Sequence, residues 1–173
     1  MRRLPRLGLA FLVALVGIAS ACSPAGDGVP IPTWDDAARA AVVDSVQGML
    51  SEYSALVAAG DLDALVLLYA DRPDFVWIED GRIAYRSQAD VAEAFEGLRA
   101  MQADVRTTFQ DPVITPLGPG LASLVTTLDQ EFAMPDGTSF GFAGALSATI
   151  GREGTGWVFL NGHTSSERED GGR

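Results

Sequence analysis

His163 is the only histidine of the chain, and it stands two residues before Ser165 in the run Trp157-Val-Phe-Leu-Asn-Gly-His-Thr-Ser165. An imidazole can take or give a proton near neutral pH, and a neighbouring hydroxyl can donate a hydrogen bond or, once activated, attack a carbonyl. Read as a strand with a two-residue period, the run places Trp157, Phe159, Asn161, His163 and Ser165 on one face. Two neighbours on a single strand, with no acid to orient the imidazole, do not make a nucleophile and its base. His163 is then either a ligand-facing or acid–base group of a cavity, or a histidine satisfied by a neighbouring strand or exposed near the sheet end.

Three further positions carry chemistry worth placing. Gln130 shares a strand face with Leu124, Thr126, Leu128 and Phe132, whereas Thr127, Asp129 and Glu131 lie opposite and read as solvated. A polar amide on that face either bonds a neighbouring strand's side chain or looks into a ligand cavity. Trp77 points the same way as Phe75, as a core aromatic or as the wall of an apolar pocket. Glu79 follows on the same face, but its place beside Asp80-Gly81 assigns it to solvent rather than to the role of a base.

The elements that must position these groups are legible. Thr33 reads as an N-cap, with Asp35 and Asp36 in the first turn where the helix dipole favours acids, and the helix runs to Ala59 before Gly60. Val42, Val46, Met49, Leu50, Tyr53, Leu56 and Val57 form its apolar face. Asp61 caps a second helix over 62–70, which Pro73 prevents from continuing. Extended runs over 74–79 and 82–86 meet at Asp80-Gly81 as a hairpin. Ser87 caps a third helix over 88–98, striped by Val91, Ala94, Phe95 and Leu98. Four strands follow near 104–115, 121–133, 138–150 and 156–166, separated by glycine- and proline-containing turns. This order predicts an α+β fold, a cone-shaped and strongly curved antiparallel sheet packed by about three N-terminal helices.

The N-terminus reads as an address. Arg2, Arg3 and Arg6 precede an apolar run over 7–18 and then Ala19-Ser-Ala-Cys22, the layout of a bacterial lipoprotein signal cleaved before Cys22. The apolar run is shorter than the roughly 20 residues that span a bilayer. Residues 1–21 are therefore expected to be removed, Cys22 to be lipidated, 22–33 to form a Pro/Gly-rich tether, 34–166 to form one domain, and 167–173 a polar tail. The expected location is extracytoplasmic, at a cell membrane or an outer membrane. Cys22 is the only cysteine, so the domain has no internal disulfide.

All 12 basic residues are arginine, and three of them fall in the leader, which leaves nine against 23 acidic side chains, a formal charge of −14. That balance argues against a nucleic-acid partner. A single histidine and no free thiol exclude a multi-histidine zinc centre, and neither a glycine-rich phosphate loop nor a Gly-x-Ser-x-Gly elbow is present. No metal and no cofactor is expected.

The spacing of Tyr53, Gly60-Asp61, Tyr69-Ala70-Asp71 and Phe75-Val76-Trp77, together with the final Trp, His and Ser, resembles the nuclear-transport-factor-2-like superfamily, with its ketosteroid-isomerase-like and SnoaL-like members, over roughly residues 40–166. The resemblance implies a cone-shaped pocket with His163 and Ser165 among its lining residues. It matches Tyr53 to the phenol of the isomerase oxyanion hole. At the two acid positions of the isomerase it places Trp77 and Leu146, so that route of proton transfer is expected to fail.

Three functions stay open at this level, because the superfamily hosts all of them. The first is a lipid-anchored domain that binds a small, largely apolar ligand without transforming it, walled by Tyr53, Trp77, Phe95 and Phe142 and oriented by Gln130, His163, Ser165 and Arg86. The second is an isomerase- or dehydratase-type enzyme using His163 and Tyr53. The third is an interaction module that pairs through its exposed sheet face, a homodimer being the simplest case.

Overall fold

The computed structural model describes residues 34–167. The expected signal segment, the lipidation site Cys22, the tether and all of the tail beyond Glu167 lie outside the described residues. Three helices come first: α1 (Asp36–Ala59), α2 (Leu62–Val66) and, after a hairpin, α3 (Gln88–Met101). The strands are β1 (Val76–Glu79), β2 (Arg82–Tyr85), β3 (Asp104–Gly118), β4 (Leu121–Ala133), β5 (Ser139–Glu153) and β6 (Gly156–Ser166). They form one curved, unclosed six-stranded sheet in the order β2-β1-β6-β5-β4-β3.

Local chemistry accounts for the breaks. Asp35, not Thr33, caps α1, its carboxylate accepting the backbone N–H of Ala38 at 2.7 Å. Gly60 closes α1 at φ 67°, a left-handed conformation that glycine adopts without strain. Asp80 and Gly81 both have positive φ, 47° and 78°, the signature of a type I′ hairpin turn between β1 and β2. Ser87 caps α3 by accepting from Asp90 N–H at 3.1 Å.

Two expectations about elements need correction. Helix α2 stops at Val66 rather than at residue 70, because the chain is drawn into a bridge with β6. Phe159 N–H donates to Leu68 C=O at 2.8 Å and Ala70 N–H to Phe159 C=O at 3.0 Å. The sheet is not wholly antiparallel either. β1 pairs in parallel with β6, matching Trp77 to Gly162 and Ile78 to His163, and this joins the hairpin to the four-stranded meander.

The buried cluster lies between the helices and the inner face of the sheet. The α1 side chains Val42, Val46, Met49, Leu50, Tyr53 and Val57 meet Leu124, Leu128, Leu146, Ile150 and Phe159, with Phe75 and Trp77 from the β1 segment. Removal of this apolar surface from water is the dominant favourable contribution to folding. Strand β3 bends where Asp111 takes φ 48° before Pro112, and pairing with β4 skips from Gln110 to Val113. Thr126 fastens the bend by donating its hydroxyl to Gln110 C=O at 2.7 Å.

Candidate functional site

Inside the curve of the sheet lies a cavity of about 330 Å³. Nine aromatic residues line it: Tyr53, Tyr69, Trp77, Tyr85, Phe95, Phe109, Phe132, Phe142 and Phe159. These include every tyrosine of the chain. Several of the rings are held edge to face, with centroids 5.4 Å apart for Tyr69 and Trp77, 5.5 Å for Trp77 and Phe159, and 5.4 Å for Tyr53 and Phe109. Gln88, at the start of α3, donates to Tyr69 C=O at 2.6 Å and so fixes the segment that carries the Tyr69 ring.

Of the sequence candidates, Tyr53, Trp77, Phe95, Gln130 and Phe142 line this cavity, as does Leu146 at the second isomerase acid position. Gln130 takes up both of the roles considered for it. Its amide donates to Thr107 Oγ1 on β3 at 3.0 Å while the side chain remains in the wall. Arg86 is not part of the lining.

His163 and Ser165 do not line it. The pairing of β5 with β6 jumps from Ile150↔Phe159 to Thr149↔Asn161, so Leu160 is an extra, bulged residue. One inserted residue reverses the alternation beyond it, because side chains change face every residue. Phe159 stays inside, whereas Asn161, His163 and Ser165 turn to the outer face and Gly162, Thr164 and Ser166 replace them within. His163 is exposed in a shallow groove on the outer face with Val76, Ile78 and Ser147. An enzyme using His163 with Tyr53 would need both on one side of the sheet, and they are not.

The polar groups the cavity does hold are different ones. The phenols of Tyr53 and Tyr69 are buried and lie 3.1 Å apart, oxygen to oxygen. One donates to the other, which leaves one phenol proton for a third acceptor. Burial raises the pKa of both, that of Tyr69 well above the ordinary value, so they are neutral donors at pH 7. Tyr85 is pushed up to about 12, first by desolvation and then by the negative charge of Glu79. At the mouth, Asp80 accepts from Ser166 N–H at 2.7 Å and from Ser166 Oγ at 3.1 Å, tying the hairpin tip to β6.

Glu79 borders the cavity at its mouth and remains exposed to solvent, as its neighbours Asp80-Gly81 suggested. The type I′ turn needs only Asp80 and Gly81, so Glu79 remains a strand residue on the same face as Trp77. Desolvation, followed by repulsion from Asp80, raises its pKa, and interaction with the hydroxyl of Tyr85 and the indole of Trp77 opposes that rise. Tyr53 from α1 and Tyr69 also feel its charge, Arg82 is its register partner across the turn, and the α3 residues of the wall are uncharged. A folded pKa above the unfolded one means that stability is present below the unfolded value, about 4.3, and is lost as pH rises through the folded value. Glu79→Gln should therefore match the parent in thermal midpoint near pH 4 and exceed it at pH 7. An equal offset at both pH values in a melting series would show that the carboxyl is not desolvated.

Chemically the site can enclose a small flat apolar body, donate one hydrogen bond from the phenol pair, and present a carboxylate at its mouth. Among the described residues no group of three His, Cys, Asp or Glu side chains is placed to hold a metal ion.

Comparison with known proteins places this geometry. A family model for the SnoaL-like domain matches residues 46–168. No curated protein matches the sequence. Among solved structures, a proposed scytalone dehydratase of Novosphingobium aromaticivorans superposes with a TM-score of 0.68 at 11% identity, covering 75% of this chain and 86% of that one. A nuclear-transport-factor-2-like superfamily protein of Salmonella enterica gives 0.63 at 19% identity, with 76% and 95% covered. The β subunit of the benzoate 1,2-dioxygenase of Burkholderia mallei gives 0.62 at 11% identity, with 72% and 90% covered. At these identities the structures share a fold with the chain and nothing finer. With the family model spanning most of the sequence, the chain belongs to the SnoaL-like domain family, within the nuclear-transport-factor-2-like superfamily.

Proposed function

We propose that the protein is a lipid-anchored, extracytoplasmic binding domain that holds a small, largely apolar ligand in the cavity under the sheet. The observation that carries this reading is the cavity itself: a predominantly aromatic wall of ligand size that also holds a small set of polar side chains. The isomerase acid positions hold Trp77 and Leu146, both in the wall, which supports binding over the isomerase route of proton transfer. The sequence of the first 22 residues supports the anchor and the compartment.

The test is thermal unfolding of the full-length chain against steroids, polyketides, fatty acids and aromatic acids. A ligand at about a hundred times its dissociation constant stabilises the native state by roughly 2.7 kcal/mol. At least one class should raise the midpoint, and the shift should shrink in Phe142→Ala, since Phe142 is 38% exposed and its truncation spares the buried cluster. No shift with any class would overturn the reading.

A further inference from the structure

The charge of the cavity narrows the ligand class. Among the described residues that line it only Glu79 and Asp80 carry charge, both are acidic, and no described arginine is part of the wall. Everything else on the wall is aromatic, aliphatic or neutral polar. An anionic ligand would meet two carboxylates and no cation. A neutral one would meet no complementary charge and would cover part of the Glu79 carboxylate, which has Tyr85 and Trp77 beside it. A positively charged ligand would pair with that carboxylate and would also meet the negative faces of aromatic rings, which attract cations within about 6 Å of a centroid.

Resting on the binding function proposed above, we infer that the cavity selects an organic cation: an apolar or aromatic body bearing an ammonium group, the body among Phe95, Phe109 and Phe159 and the cation at the mouth between Glu79, Tyr85 and Trp77. The placement follows from topology. Trp77 and Glu79 are alternate residues of β1, so they share its inner face. Tyr85 on β2 is the register partner of Trp77, because a bulge between Trp77 and Ile78 leaves Ala84 unmatched and keeps Tyr85 on the inner side. One carboxylate and two aromatic side chains are thus fixed together at the hairpin, next to the cavity opening. The phenol pair of Tyr53 and Tyr69 lies deeper and would take a hydroxyl or carbonyl oxygen on the ligand body.

The test compares benzyltrimethylammonium with its uncharged isostere neopentylbenzene and with the anion phenylacetate, by calorimetry on the full-length chain at pH 7. The expected order is cation first, tighter than the isostere by at least tenfold, with no detectable anion binding. In Glu79→Gln the preference for the cation should fall at least tenfold while neopentylbenzene keeps its affinity, which separates loss of charge from loss of fold. Lowering the pH until Glu79 is protonated should weaken the cation more in the parent than in Glu79→Gln, where Asp80 is the carboxylate left in the lining. Equal affinity for cation and isostere, or a preference that survives Glu79→Gln, would overturn the charge assignment and leave the apolar pocket standing. If no probe binds and no class in the wider library does, the pocket reading falls with it.

Discussion

Replacing Phe159 by alanine should cost the domain about 3–5 kcal/mol, the range for truncating a fully buried aromatic side chain. Phe159 is 1% exposed and is one of the largest fully buried side chains. Its ring meets those of Tyr53, Tyr69 and Trp77 at centroid distances of 6.0, 5.4 and 5.5 Å, so a void there removes the common support of three cavity-lining residues. Its backbone also bonds both Leu68 and Ala70, which a side-chain truncation leaves in place. The variant should therefore fold with a midpoint lower by roughly 10 °C, and its cavity should be enlarged. Phe159→Leu, which refills most of the volume, should recover more than half of the loss. Equilibrium unfolding in urea would measure both, and a loss below about 1 kcal/mol for Phe159→Ala would show that the cluster repacks freely and that the cavity has no fixed wall at this point.

How much of this site the sequence revealed depended on whether local patterning or long-range pairing decided each residue. The helix α1 stripe placed Tyr53 inward because a helical period survives any tertiary context that buries one face. The β4 alternation placed Gln130 correctly for the same reason, since that strand runs unbroken from Leu121 to Ala133 against β5. The assignment of His163 failed at a single residue. No proline, glycine or other break marks Leu160, and its bulge exists because Gly151 opposite leaves room for the Leu160 side chain, which lies where a Cβ at position 151 would sit. That is a relation between two strands, and a reading of one strand does not contain it.

Tyr69, Tyr85 and Glu79 were missed for related reasons. Tyr69 was assigned to a helix that instead ends early, drawn off by its bridge to Phe159. Tyr85 keeps its inward position only through the bulge at Ala84. Glu79 is exposed, as its neighbours Asp80-Gly81 suggested, and its alternation with Trp77 also brings it to the cavity mouth. One available signal would have found Glu79 but not Tyr85: Trp77 and Glu79 alternate on β1, whereas a regular register from the Asp80-Gly81 turn sets Ala84, not Tyr85, across from Trp77. The outer sheet face, where Val125 pairs with Val113 and with Ser147, and Ser147 in turn with His163, is open in this chain and keeps self-association a question for sedimentation.

The second large effect concerns a glycine whose need lies in space rather than in backbone angle. Gly162 follows the Leu160 bulge on the inner face, directly opposite Trp77 in the parallel pair of β1 and β6. A Cβ at this position would come within 2.3, 2.6 and 2.8 Å of three atoms of the Trp77 indole. An indole that is 5% exposed and edge-packed on Tyr69 and Phe159 has no empty direction to move except into the cavity. Gly162→Ala should then cost about 1–3 kcal/mol through overpacking and push the ring into the ligand space, so that any cavity ligand loses affinity by more than stability alone explains. The double variant Gly162→Ala with Trp77→Leu should be more stable than the sum of the single changes predicts, by roughly 0.5–3 kcal/mol, because the methyl then fills space that the indole has vacated. Additive effects in that cycle would mean that the strand, not the ring, gives way, and would remove Trp77 as the fixed wall on which both the pocket and its mouth are built.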